Sequence, residues 1–167
     1  EKNVESLLPL YRHLHQHPEL SYQEKETAQR FASELKKAGL DVTSDVGGHG
    51  LVGMLRNGKG KVLLIRTDLD ALPISEATGL DFSSLVQVEN PTGSGVVNVM
   101  HACGHDAHMA NLVGVAKFLA THRQDWQGTV MFVGQPAEER VGGARAMLDD
   151  GLYRRFGRPD FALALHV

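Results

Sequence analysis

Residues 100–109 read MHACGHDAHM and hold three histidines, one cysteine and one aspartate. Thiolate and imidazole are the usual ligands of zinc and other transition metals. The same groups could also make a thiol nucleophile with its base, Cys103 with His105 or His108. A polar loop that happens to be rich in histidine is the third reading. The stretch sits between a short strand-like run at 96–99 and a helix-like run at 107–122.

Similar chemistry follows other apolar runs. KVLLI leads into Asp68 and Asp70, TVMFV leads into Glu138 and Glu139, and FALAL leads into His166. In open α/β sheets the ligand crevice lies beyond the carboxyl ends of the strands. If these strands run parallel, one crevice receives the aspartates, the glutamates, the cysteine and the histidines. Acids and a thiolate crowded together repel in a low dielectric, and cations offset that repulsion.

Each element alone has a plainer explanation. Cys103 could be a small buried hydrophobe, and Glu138-Glu139 could be acids at a helix N-terminus. Asp68-x-Asp70 could be a turn. Their recurrence after four strand-like runs favours a metal centre. His13, His15 and His17 read as a solvated or partly packed helix end. His49 and His122 carry no pattern, and Gly47–Gly50 lacks the following helix that a phosphate cradle needs.

The elements that must position these groups can be read from periodicity. A helix is expected over 7–16, capped by Ser6 and ended by His17-Pro18. Ser21-x-x-Glu24 matches a capping box, ahead of Ala28, Phe31, Ala32 and Leu35 at helical spacing. Residues 51–56 and 61–66 flank Asn57-Gly58-Lys59-Gly60 and read as a β-hairpin. A long loop is expected over 74–95. Strands at 96–99, 129–133 and 161–165 alternate with helices at 107–122 and 143–150. That order predicts an α/β fold with a mixed sheet and helices on both faces.

The 167 residues suffice for one domain, with 42% hydrophobic and 22% charged residues and a net charge of −3. No basic patch stands out, so nucleic acid is not an expected partner. No apolar run reaches membrane-spanning length, and no signal peptide is recognisable at the start. The single cysteine excludes an internal disulfide and fits a reducing compartment, most simply the cytoplasm.

Five stretches stand in a telling order: RHLHQHPELSYQEKET (12–27), RTDLDALPI (66–74), MHACGHDAHM (100–109), GQPAEE (134–139) and ALHV (164–167). Together they resemble the metal-dependent amidohydrolases and metallopeptidases that include aminoacylases, hippurate hydrolases and auxin–amino acid conjugate hydrolases. The resemblance implies a three-layer α/β/α catalytic domain, zinc-peptidase-like, with a mostly parallel sheet and two adjacent divalent metals (zinc, manganese, cobalt or nickel). It implies Cys103, His105, Glu139 and His166 as ligands and Glu138 as general base. Asp70 falls behind a ligand, and Asp68 is expected behind the ligands rather than on a metal. The implied reaction is hydrolysis of the amide bond of an N-acyl amino acid by a metal-bridged water. Such proteins are about twice as long, carry a lid domain through which they dimerise, and supply one further histidine. The chain therefore reads as an N-terminal portion of a catalytic domain. A non-catalytic metal-binding fragment and a Cys103 thiol hydrolase are the alternatives.

Overall fold

The computed structural model describes residues 2–167, with side chains from Val4 onward. In chain order the elements are α1 (Lys2–Glu5), α2 (Leu8–Gln16), α3 (Lys25–Lys37), β1 (Asp41–Thr43), β2 (Leu51–Asn57), β3 (Val62–Asp68), β4 (Gln87–Glu89), β5 (Val96–Asn98), α4 (His105–Thr121), β6 (Gly128–Gln135), α5 (Gly143–Asp149), α6 (Leu152–Phe156) and β7 (Phe161–Ala164). A five-stranded sheet has the order β1-β2-β6-β3-β7. β3 pairs in parallel with both β6 and β7, while β2 is antiparallel to β1 and β6. All but β2 thus run the same way, as a mostly parallel mixed sheet requires.

Strand alternation sorts the core into two layers. Leu51 and Leu55 of β2 and Val130 and Phe132 of β6 face α2, α3 and α4, packing with Leu14, Phe31, Leu35, Met109 and Val113. Val52, Met54, Met131 and Val133 face the other way, onto Met147 of α5 and Leu152 of α6. The result is the expected three-layer α/β/α arrangement. Phe31 and Phe132 are fully buried, and truncating either to alanine should cost about 3–5 kcal/mol through transfer and cavity terms.

Four local expectations are corrected. The runs at 51–56 and 61–66 do not form a hairpin: β6 inserts between β2 and β3 and pairs with both. The strand at 96–99 is not part of the main sheet; β5 pairs in a separate two-stranded ribbon with β4, which lies inside the 74–95 stretch expected as a loop. Ser21 and Glu24 do not make a capping box. Ser21 Oγ donates to Asp70 at 2.6 Å and Glu24 Oε1 accepts from the Ala137 N–H at 2.7 Å, so both side chains reach across the molecule. Leu7 occupies the cap position of α2 without a side-chain hydrogen bond there, so Ser6 is not the N-cap.

The stretches that carry the chemistry are tied to β3 and β6. The Leu20 segment bridges Ala71 in parallel, and Leu72 bridges Met100 in antiparallel fashion. The Ala71 N–H donates to Glu19 O at 2.8 Å, and Leu72 and Met100 exchange two bonds of 3.0 Å. These pairings fix the start of the MHACGHDAHM turn against the chain just beyond Asp70. No helix among the described residues is long and apolar enough to cross a membrane.

Candidate metal centre

β3, β6 and β7 are parallel neighbours, so their carboxyl ends fall at one edge of the sheet. Asp68 ends β3, Glu138 and Glu139 follow β6, and His166 follows β7. His105 opens α4 on the same side, brought there by the ribbon-anchored turn. Gly104, at φ +67, supplies the left-handed cap that turns the chain into this helix.

His105 is the hub. Its Nδ1–H donates to the Asp70 carbonyl at 2.8 Å, which leaves Nε2 as the lone-pair nitrogen of the neutral ring. That Nε2 lies 3.2 Å from His166 Nε2, 3.9 Å from Glu138 Oε2, 3.9 Å from Glu139 Oε1 and 4.0 Å from Asp68 Oδ2. His166 Nε2 is also 3.2 Å from Glu138 Oε2. One ligand atom each from Asp68, His105, Glu138 and His166 lies within 4.8 Å of the other three. Cys103 and Glu139, both expected as ligands, are not in that four-residue group; Cys103 neighbours Glu139, whose influence helps push its thiol pKa up.

Asp70 sets the loop that carries the two glutamates. Its Oδ1 accepts from the Glu138 N–H and its Oδ2 from the Glu139 N–H, both at 3.0 Å. Asp70 thus holds the backbone of the glutamate pair with its carboxylate and the tautomer of His105 with its carbonyl. Gly143 lies under this loop so closely that a Cβ would sit 1.5 Å from Pro136 O. Glu24, fully buried, holds Ala137 at φ +46, the residue just before Glu138.

The electrostatics describe a cleft short of positive charge. Burial pushes the Asp68 carboxyl up to about 6, although the Arg66 guanidinium 2.9 Å away pulls it down. The hydrogen bond to Glu139, burial and the neighbouring acids push the Cys103 thiol up to about 11. Asp68 Oδ1 and Glu139 Oε1 are buried without a hydrogen-bond partner among the described residues. Orphaned carboxylate oxygens, a lone-pair imidazole nitrogen and a thiol in one cleft are the donor set of a transition-metal site, and these residues fit a divalent cation.

Residues outside the sequence-based set also serve the cleft. His108, weighed from sequence as a base or as a surface or capping residue, donates from Nδ1 to Leu165 O at 3.1 Å and so fixes the backbone beside His166. His15 is not at a solvated helix end: it is buried, with Nδ1 2.6 Å from Asp106 Oδ2 and Nε2 3.0 Å from Glu76 Oε1. It links α2 to the first turn of α4. His13 and His17 stack on each other away from this cluster, ring centroids 4.5 Å apart. His101 is buried with both ring nitrogens lacking a partner among the described residues, and burial pushes its pKa down to about 4. Only their place within long motif stretches marked His15, Ser21 and Glu24 in the sequence.

Comparisons with known proteins bear on the family and the fold. The sequence profile described as "Peptidase family M20/M25/M40" matches residues 64–167. The chain belongs to this family. It is 41% identical over 154 residues to a hippurate hydrolase of Campylobacter jejuni, covering 92% of the chain and 37% of that protein. It is 38% identical over 161 residues to the IAA-amino acid hydrolase ILR1-like 5 of Arabidopsis thaliana, covering 96% of the chain and 34% of the relative. A crystal structure of the Bacillus subtilis YXEP protein, described as a dinuclear metal binding peptidase from the M20 family, superposes with a TM-score of 0.80 at 37% identity. That match covers 92% of this chain and 40% of the other. This M20/M25/M40 segment therefore spans little more than a third of the curated relatives it matches.

Proposed function

We propose that this M20/M25/M40 segment forms the metal-binding half of an active site that hydrolyses the amide bond of N-acyl amino acids. The observation that carries the reading is the convergence on His105 Nε2 of one imidazole and three carboxylates, each within 4.0 Å. The names of the hippurate and IAA-amino acid hydrolases among the relatives support an acyl–amino acid substrate.

Cys103, His105, Glu139 and His166 would hold two divalent cations, with Asp68 beside them. Such cations supply Lewis acidity, polarising the scissile carbonyl and acidifying the attacking water. Every other role falls to the chain. The two glutamates are divided by exposure: the Glu139 side chain is 16% exposed and has a buried oxygen without a partner among the described residues, whereas Glu138 is 28% exposed. Glu138 is thus the carboxylate open to water and substrate. It takes the proton from the attacking water and returns it to the departing amine. Asp70 holds Glu138 and Glu139 in place through their backbone N–H groups. The single thiol fits a reducing compartment such as the cytoplasm, and a small-molecule substrate rather than nucleic acid or membrane suits the cleft.

Glu138→Gln tests the assignment. It should leave metal content near that of the wild type while lowering kcat by ~10² or more, the usual weight of general acid–base catalysis. Undiminished turnover would remove Glu138 from the role.

A further inference from the structure

Three ionisable side chains, His15, Asp106 and Glu76, are buried together at the start of α4. None of them is in the group gathered on His105 Nε2. His15 Nδ1 donates to Asp106 Oδ2 at 2.6 Å, and its Nε2 donates to Glu76 Oε1 at 3.0 Å. A ring that donates from both nitrogens is the charged imidazolium. Two buried carboxylates thus share one buried cation. Such a group is costly to take out of water, and removing one member leaves the others uncompensated.

Each member is tied to a different part of the chain. His15 lies near the end of α2, on its buried face with Leu10 and Leu14. Glu76 lies between β3 and β4 and gathers that segment: its carboxylate accepts from the Ser84 N–H at 2.6 Å and from the Thr78 hydroxyl. Phe82 of the same segment packs edge-on against the His15 ring, centroids 5.3 Å apart, and Tyr11 lies tilted against it at 5.7 Å. Two acids and two aromatic rings therefore hold the imidazole of His15.

Asp106 belongs to the first turn of α4. A helix start leaves its first N–H groups without partners inside the helix, and the side chain at the cap position usually accepts from one of them. Gly104 holds that position here and has no side chain to do so. Asp106 serves instead from within the turn: its Oδ1 accepts from the Ala107 N–H at 2.8 Å, while His15 holds its Oδ2. His105 sits between Gly104 and Asp106, with its Nδ1–H committed to the Asp70 carbonyl. Two anchors thus set the place of His105 Nε2, Asp70 on the ring and Asp106 on the turn that carries it. We propose that His15 is a positioning residue for the metal centre, acting through Asp106 to hold the first turn of α4 where His105 Nε2 meets the cation. This rests on the reading of His105 as a metal ligand. Glu76 and Phe82 serve by aiming the His15 ring.

The test is the zinc affinity of the full-length protein, measured by competition with a chromophoric chelator. An asparagine amide stands where His15 has Nδ1, and a glutamine amide where it has Nε2. His15→Asn therefore keeps the donor to Asp106, and His15→Gln keeps only the donor to Glu76. Each variant loses one of the two bonds, so their Tm values should fall by similar amounts. Zinc affinity should separate them: about 10-fold weaker than wild type for His15→Gln, the lower end for residues that support a ligand, and within about 3-fold for His15→Asn. Equal losses in the two variants, or an affinity for His15→Gln within about 2-fold of wild type, overturn the assignment. The acids give the same split, and they decide the matter if a His15 variant does not fold. Asp106→Ala should bind zinc about 10-fold more weakly and Glu76→Gln within about 3-fold of wild type; equal affinities in that pair overturn the assignment. If wild type retains no zinc, the metal reading fails separately, and NMR of the histidine rings decides the positioning. The His105 Nδ1–H signal should be protected from exchange in wild type and His15→Asn and broadened in His15→Gln. The same signal in all three overturns it.

Discussion

Replacing Asp70 by asparagine removes one charge and one acceptor from a fully buried junction. Three donors converge on its two oxygens: the Glu138 and Glu139 N–H groups at 3.0 Å and Ser21 Oγ at 2.6 Å. Asparagine keeps one acceptor oxygen and presents an NH₂ group to at least one backbone donor. A hydrogen bond to a charged group contributes about 1.5–3 kcal/mol, and an orphaned buried donor costs about 1–3 kcal/mol. The lost bond and the orphaned donor are largely one event, so the net destabilisation should be about 2–4 kcal/mol. For a domain of this size each kcal/mol lowers Tm by about 2–4 °C. Thermal unfolding of the metal-free protein, followed by circular dichroism, should therefore show a drop near ~10 °C for Asp70→Asn. Ser21→Ala alone should cost about 1 kcal/mol. Because Ser21 and Asp70 share one bond, the double variant should lose less than the sum of the singles. A Tm for Asp70→Asn within about 1 °C of wild type, or strict additivity with Ser21→Ala, would refute the junction as described.

Two other consequences can be measured directly. With its thiol pushed up to about 11, Cys103 is protonated at neutral pH in the metal-free protein, so alkylation by iodoacetamide should be slow at pH 8 and rise only near pH 11. A midpoint below the ordinary thiol value would instead favour a nucleophilic cysteine. Burial opposes charge on His15, yet its bonds to Glu76 and Asp106 raise its pKa. The stabilisation it gives is therefore complete below the ordinary histidine pKa and lost as pH rises through the raised value. His15→Leu should cost about 3–5 kcal/mol at pH 6, by leaving two buried acids unpaired, and the gap to wild type in urea unfolding should narrow by pH 9. An unchanged gap would place neutral His15 in that role.

Much of the centre was legible because parallel strands deliver whatever follows them to one edge. The acids after KVLLI and TVMFV and the histidine after FALAL need only the strand direction to meet, and the strand direction is right. The hairpin reading failed because Asn57-Gly58-Lys59-Gly60 is a persuasive local turn, and nothing local shows that β6 will enter between its arms. The contrary signal was β6 itself, buried along nearly its whole length, as only a central strand is. The turn carrying Cys103 and His105 reaches the edge by another route, through the β4–β5 ribbon and the Leu72–Met100 bridge. Ser21 and Glu24 misled for a related reason. Their spacing fits a capping box, but their bonds go to Asp70 and Ala137, about 50 and more than 100 residues away. The burial of His15 also depends on partners remote in sequence, Glu76 and Asp106, which helical periodicity within 7–16 cannot reveal.

The account turns on one cleft holding cations through both the thiol and the imidazoles. X-ray absorption spectroscopy on zinc-loaded protein, with metal content determined on the same sample, addresses that directly. Two zinc ions per chain are expected, with a sulfur scatterer at about 2.3 Å that disappears in Cys103→Ala. Protein that retains no zinc, or binds it in a shell of oxygen and nitrogen alone that is indifferent to Cys103→Ala, would contradict the account.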